Sequence, residues 1–118
     1  MKSLTKAEED VMQILWEIER GFVKDIIEQI DGKKPAYNTI STIVRILETK
    51  GFISHESFGK SHQYYPLISK EDYRKQVFSK MKKTYFGGSI EKLVSFFVKE
   101  ENISLDDLNG IIKSMEEE

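Results

Sequence analysis

The sequence predicts a mainly α-helical fold with one small β hairpin, divided into two consecutive regions. Three observations predict it. Hydrophobic residues recur at helical spacing in three segments before residue 51 and again after residue 69. Residues 52–65 alternate in the two-residue period of a strand on both sides of a turn that contains Gly. Pro66 then closes the first region.

The first three helices are delimited by caps and breakers. Thr5 and Glu8 form a T-x-x-E capping box, which predicts a helix start, and Gly21 is expected to stop that helix. A second, short helix is predicted over residues 23–30 and is broken by the Gly- and Pro-containing segment 31–35. The third helix is predicted over residues 37–50, with Gly51 at its C′ position.

The third helix has an unusual polar face. Its apolar face consists of Ile40, Ile43, Val44 and Leu47. The opposite face carries short hydrogen-bonding groups and one guanidinium, from Asn38, Ser41, Thr42, Arg45 and Thr49. A solvated helix face is usually richer in Glu and Lys, so this composition favours a binding surface, although an ordinary amphipathic helix remains an alternative.

Three helices followed by a hairpin is the order of a winged helix-turn-helix, with the hairpin as the wing. In such proteins the second helix of the helix-turn-helix lies in the major groove of double-stranded DNA. The whole chain has a net charge of −2, yet residues 33–62 carry a local charge of +3. We therefore expect DNA contacts from side chains of the third helix and the wing turn, namely Tyr37, Asn38, Thr39, Ser41, Thr42, Arg45 and Lys60.

The second region is predicted to be three helices that dimerise. Its middle segment, residues 90–98, is apolar on nearly every side and must be covered by something. A second copy of the chain would cover it through a two-fold axis, whereas folding back onto the first region is the alternative. The expected domains are 1–67 for DNA binding and 68–118 for dimerisation. The expected interface is formed by Tyr85, Ile90, Leu93, Val94, Phe96, Phe97, Leu108, Ile111 and Ile112.

Other classes of function are excluded or disfavoured by composition and motifs. The absence of cysteine excludes disulfides and thiolate metal sites, and His55 and His62 lie in no ligand-spaced cluster. No phosphate-binding glycine loop or catalytic motif is present, so we expect neither an enzyme nor a cofactor. No secretory signal or membrane-spanning segment is recognisable, which predicts a cytoplasmic protein.

Several segments in this order are similar to one known family. They are residues 4–8 (LTKAE), 11–16 (VMQILW), 37–42 (YNTIST), 50–53 (KGFI), 63–67 (QYYPL), 85–88 (YFGG) and 93–98 (LVSFFV). Together they resemble the penicillinase-repressor family, the winged-helix repressors of the BlaI, MecI and CopY type, over nearly the whole chain. Copper sensing through cysteines, as in one branch of that family, is excluded here.

The resemblance implies a homodimer that represses transcription from a palindromic operator. It also implies relief when a membrane-bound sensor protease that responds to β-lactams triggers cleavage in the dimerisation region. The matching bond joins Phe96 to Phe97, where family members commonly have Asn followed by Phe. Cleavage there would cut the helix that we assign to the dimer interface.

Two other functions remain open from the sequence. A winged helix can serve as a protein-interaction module without DNA, since a fold does not fix a function. A small-molecule-responsive regulator would need a pocket at the dimer interface, which Phe78, Tyr85, Phe96 and Phe97 could line.

Overall fold

The computed structural model describes residues 3–116, and residues 1, 2, 117 and 118 of the two predicted domains lie outside this description. The described chain forms helices and one antiparallel hairpin in the predicted order, which confirms the fold class. The elements are α1 (Lys6–Ile18), α2 (Val23–Glu28), α3 (Tyr37–Thr49), β1 (Ile53–Phe58), β2 (Ser61–Pro66), α4 (Lys70–Phe86), α5 (Ile90–Glu100) and α6 (Leu105–Glu116).

The chain divides into two compact units, and the first is Met1–Tyr73. The buried faces of α1, α2 and α3 meet the base of the hairpin in one hydrophobic core. Its members are Val11, Met12, Leu15, Val23, Ile26, Ile40, Val44, Leu47, Phe52, Ile53 and Tyr64. Because this core draws on every element from α1 to β2, the position of α3 is fixed on several sides.

The start of α1 is as predicted, but its end has a different cause. The Thr5 hydroxyl accepts from the Glu8 backbone N–H, and the Glu8 carboxylate accepts from the Thr5 N–H, which completes the capping box. The helix ends at Ile18, before the predicted stop, because Glu19 adopts a left-handed conformation with φ of 71°. At Gly21 a Cβ would lie 2.7 Å from the end of the Ile18 side chain, which would have to shift to make room.

The ends of α2 and α3 lie close to the predicted ones. α2 ends at Glu28 rather than at residue 30, and α3 ends at Thr49. Gly51 follows α3 with φ of 86°, a conformation that glycine adopts readily and other residues rarely do. The chain can therefore turn at once from α3 into the first strand of the hairpin.

The hairpin is joined to the helices at its base. β1 and β2 pair in antiparallel register from Ile53 opposite Pro66 to Phe58 opposite Ser61. Gly21, in the connection between α1 and α2, exchanges two backbone hydrogen bonds with Tyr64, of 3.0 and 2.8 Å. These two bonds attach β2 of the hairpin to the connection between α1 and α2.

The first unit extends past the boundary that Pro66 suggested. The Trp16 indole N–H donates to the Ile68 carbonyl at 2.8 Å, and the Tyr73 ring packs against Trp16 and Phe52 with centroid distances of 5.5 and 6.0 Å. These contacts hold the segment after β2 and the beginning of α4 against the core.

The second unit is Arg74–Glu118 and contains the rest of α4 together with α5 and α6. Ser89 caps α5 by accepting from the Lys92 N–H, a cap that the sequence analysis did not identify. Ser104 and Asp107 form the predicted cap of α6, each accepting from the backbone N–H of the other. Within residues 3–116, no helix combines the length and hydrophobicity needed to cross a membrane.

Candidate nucleic-acid interface

The outward face of α3 is the candidate interface, and the core fixes its direction. Ile40, Val44 and Leu47 are buried, which turns the opposite side of the helix to solvent. The exposed side chains of this outward face are Tyr37, Asn38, Thr39, Thr42, Arg45, Ile46 and Thr49. With the exception of Ser41, the predicted DNA-binding residues of α3 therefore lie on an accessible surface.

Ser41 does not lie where the sequence analysis placed it. It is only 8% exposed, so its predicted place on the outward face is wrong. The helical rotation brings Ser41 to the edge of the buried face, and its hydroxyl accepts a hydrogen bond of 3.0 Å from Nη2 of Arg45. Ser41 thus orients the guanidinium of Arg45.

Two threonines on this face use their hydroxyl hydrogens within the helix. The Thr42 hydroxyl donates to the Asn38 carbonyl and the Thr49 hydroxyl donates to the Arg45 carbonyl, each at 2.9 Å. Their hydroxyl oxygens can still accept a hydrogen bond, and each side chain also carries a methyl group.

The acidic residue of α3 is directed to the wing. Oε2 of Glu48 lies 2.6 Å from Nδ1 of His55 in β1, and the His55 ring stacks on His62 of β2 at 4.1 Å between centroids. Burial raises the pKa of the nearby Tyr64, and the charge of Glu48 raises it further. Within the described residues, no cluster of three or more potential ligands could hold a metal ion.

The wing has an anchored base and an exposed tip. On its outer side Arg20 forms a 3.0 Å ion pair with Glu56 and lies 4.6 Å from the centre of the Tyr65 ring. Lys60, a predicted DNA-binding residue, follows Gly59 in the turn between β1 and β2 and is exposed. Its charge can therefore reach a partner beyond the surface of the helices.

A largely buried ion pair fixes the C-terminal end of α3. Nζ of Lys50 lies 2.6 Å from Oε1 of Glu8 in α1, and the Glu8 side chain is 7% exposed. Burial opposes ionisation of Glu8, but hydrogen bonds from Lys50 and Thr5 and the charge of Lys50 together lower the pKa of this carboxyl. The pair joins the beginning of α1 to the end of α3.

The predicted dimer residues divide into exposed and covered ones. Leu93 is only 4% exposed and Leu108 is half-buried, so both are partly or wholly covered within one chain. The others are exposed: Tyr85, Ile90, Val94, Phe96, Phe97, Ile111 and Ile112. The bond between Phe96 and Phe97 lies inside α5, and both of these rings are about half exposed.

Ile46 is a further residue of the α3 surface that was not among the predicted contacts. Its side chain is 39% exposed, although it is large and apolar. Its position could have been found from helical spacing, because Ile46 is four residues after Thr42 and therefore lies on the same face.

Comparisons with known proteins agree with this architecture. The family model described as Penicillinase repressor matches residues 4–117. The methicillin resistance regulatory protein MecI of Staphylococcus aureus (strain N315) is 31% identical over 109 residues, covering 92% of this chain and 89% of that protein. The penicillinase repressor of Bacillus licheniformis is 23% identical over 115 residues, covering 97% and 90% respectively.

A solved structure is similar to part of this chain. The solution structure of the DNA binding domain of the repressor BlaI matches with a TM-score of 0.52 and 27% identity, covering 62% of this chain and 94% of that one. The family model spans nearly the whole chain, and a relative above 30% identity covers most of it. This protein therefore belongs to the penicillinase repressor family, which consists of DNA-binding transcriptional repressors and not of enzymes.

Proposed function

We propose that this protein is a homodimeric transcriptional repressor that binds a palindromic operator in double-stranded DNA. In this proposal α3 of each protomer enters the major groove of one half-site and the wing follows the adjacent backbone. Proteolysis in the second unit relieves repression.

The observation that carries the proposal is the chemistry of the outward face of α3. It offers an amide, hydroxyls and a guanidinium, from Asn38, Thr39 and Arg45, to whatever lies opposite. The carboxylate of Glu48 lies 2.6 Å from Nδ1 of His55 and is thus directed to the hairpin. An amide and a guanidinium match the hydrogen-bonding edges of adenine and guanine in the major groove.

Phosphate contacts are expected at the two ends of this surface. Ala36 has no side-chain group with which to cap α3, so the first N–H groups of the helix remain available to a phosphate. Lys60, which is exposed in the turn of the wing, is proposed to bind the backbone beside the groove. Contacts of this kind set position and register, whereas the base contacts set specificity.

The homodimer is supported by the second unit. Seven of the predicted interface side chains, all of them large and hydrophobic, are solvent-exposed in a single chain. A surface of this kind on a small helical unit is typical of an interface, and a two-fold axis would bring like faces together. Two DNA-binding units that are joined in one dimer bind two half-sites far more tightly than one unit binds a single half-site.

Proteolytic relief is supported by the position of the Phe96–Phe97 bond. Cleavage inside α5 would separate Leu93 from Phe97 and from all of α6. The dimer interface would then be interrupted, and the two DNA-binding units would bind DNA independently. A membrane-bound sensor protease, as the family resemblance implies, is the expected trigger of this cleavage. Mass spectrometry of the protein from induced cells would detect fragments that end at Phe96 and begin at Phe97.

A footprint on the promoter of the protein's own gene neighbourhood tests the DNA-binding proposal. We expect protection of an inverted repeat, with a logarithmic affinity that falls steeply with the logarithm of salt concentration. Arg45→Ala should weaken binding about tenfold or more, the loss expected for roughly 1–3 kcal/mol of contact free energy.

Lys6→Ala supplies the matched control, because Lys6 is an exposed cation on α1 that pairs with Asp10. It should leave the footprint unchanged. Absence of any protected site at low salt would contradict the proposal and favour a protein-interaction module.

A further inference from the structure

A large aliphatic side chain on the outward face of α3 has no place in the hydrophobic core. Ile46 is 39% exposed, whereas Val44 and Leu47, the other aliphatic residues of this turn, are fully buried. Exposed isoleucine is unfavourable in water, and packing within this chain gives no reason for it. The side chain lies among the groups that we propose to face DNA.

Ile46 is part of a row of methyl groups. Thr42 and Thr49 lie four residues before and three residues after it, which places all three on one side of the helix. The hydroxyl hydrogens of both threonines are donated to backbone carbonyls of α3. Each threonine also adds a methyl group to this side of the helix, while its hydroxyl oxygen can still accept a hydrogen bond.

The row lines a shallow depression beside the guanidinium of Arg45. This depression has a volume of about 320 Å³, and Arg45 and Lys50 complete its wall, with the charge of Lys50 paired to Glu8. An apolar floor with a cationic edge suits a partner that presents apolar groups beside negative charge. The major groove of DNA does so, because the C5 methyl group of thymine projects into it between two phosphate backbones.

We propose that Ile46 is a specificity-determining residue that packs against a thymine methyl group in each half-site, with Thr42 and Thr49 completing the apolar contact. The inference rests on the proposed function, since it assigns a base to the same helix face. It predicts that the operator is read at this position by shape and hydrophobicity, and not by a hydrogen bond.

Operator duplexes with single deoxyuridine substitutions test the contact. Uracil keeps every hydrogen-bonding group of thymine and lacks the methyl group alone. At one thymine of each half-site we expect uracil to weaken binding about three- to fivefold, the effect of exposing one methyl group. The remaining thymines should respond less.

Protein variants assign the effect to its side chain. Ile46→Ala should bind the thymine and uracil operators with nearly equal affinity, because it removes the partner of the methyl group. Thr42→Ser removes one methyl and keeps the hydroxyl, so it should reduce the ratio between the two operators. Its matched partner Thr42→Val keeps the methyl and should retain that ratio. Circular dichroism confirms that each variant is folded.

The outcomes separate the two proposals. If the protein protects an operator but no thymine is sensitive to uracil, the Ile46 contact is refuted and the repressor proposal stands. If Ile46→Ala retains the full thymine preference, another residue reads the methyl group and the inference is overturned. If no DNA is bound at all, the repressor proposal itself fails.

Discussion

The two units of this chain treat their hydrophobic side chains in opposite ways. In Met1–Tyr73, eleven buried residues from three helices and the hairpin form one core. In Arg74–Glu118, Leu93 is the buried hydrophobic residue among those described, and many large apolar side chains face solvent. These exposed residues are Val77, Phe78, Tyr85, Ile90, Val94, Phe96, Phe97, Leu105, Ile111, Ile112 and Met115.

The first unit therefore buries its large hydrophobic side chains within one chain, and the second leaves most of its own exposed. Because the core of the first unit is formed within one chain, its free energy of unfolding should be independent of protein concentration. The second exposes the surface that a partner would cover, so its stability should follow mass action. Substitutions matched across the two units test this distinction.

The largest effect is expected from removing a core ring of the first unit. Phe52 is fully buried, and Phe52→Ala should lower the free energy of unfolding by about 3–5 kcal/mol. The matched variant Phe97→Ala should cost much less in dilute protein, because its ring is 44% exposed in the single chain. Urea titration measures the free energy of unfolding of both variants. Equal losses at low protein concentration would contradict the proposed difference between the two units.

The next effect concerns association. Phe97→Asp would bury an unpaired carboxylate at the proposed interface, which should weaken dimerisation by at least two orders of magnitude. Sedimentation velocity at micromolar concentration should then show monomers. Ser95→Asp adds the same charge to the polar side of α5 and serves as the control. A Phe97→Asp variant that remains dimeric would show that the interface lies elsewhere.

An intermediate effect is expected at the ion pair between α1 and α3. Glu8→Gln should reduce stability at neutral pH by about 1–3 kcal/mol, because Lys50 loses its charged partner. The lowered pKa means that the wild-type advantage is present above the ordinary value of 4.5 and is lost as the pH falls through the folded value. Thermal melts from pH 7 to pH 3 should therefore converge, and a constant difference would contradict this linkage.

The smallest effects come from two equivalent helix caps. Thr5→Ala removes the hydroxyl that caps α1, and Ser104→Ala removes the one that caps α6. Each should cost about 1 kcal/mol. We expect Thr5→Ala to lower the melting temperature at every concentration, whereas Ser104→Ala should act mainly by weakening dimerisation. Calorimetry over a hundredfold concentration range distinguishes them.

Most of the fold could be predicted from the sequence, since caps and periodicity act locally. Three local features each determine an element without distant contacts: the T-x-x-E box at Thr5, the Ser104–Asp107 cap and the alternation of residues 52–65. The misplaced end of α1 shows the limit. Helical spacing predicts a stop at Gly21, but the helix ends at Ile18, and Gly21 pairs through its backbone with Tyr64.

The candidate site was predictable in outline but not in detail. Residue type and spacing identified α3 and its outward face. They could not show that Ser41 turns inward to bond Arg45, because a few degrees of helix rotation separate an exposed position from a buried one. The pairing of Glu48 with His55 was equally hidden, because it depends on the path of the hairpin back across α3.

The pairing of Gly21 with Tyr64 also affects how this protein can change during evolution. Amide hydrogens at the base of the hairpin are locked into the core and should exchange with solvent only when the whole first unit opens. Those around Gly59 and Lys60 should exchange from the native state. Substitutions of Lys60 should thus be nearly neutral for folding, whereas Gly59, with φ of 63°, accepts few other residues. The charge at the tip can therefore change in evolution while the scaffold that carries it stays the same.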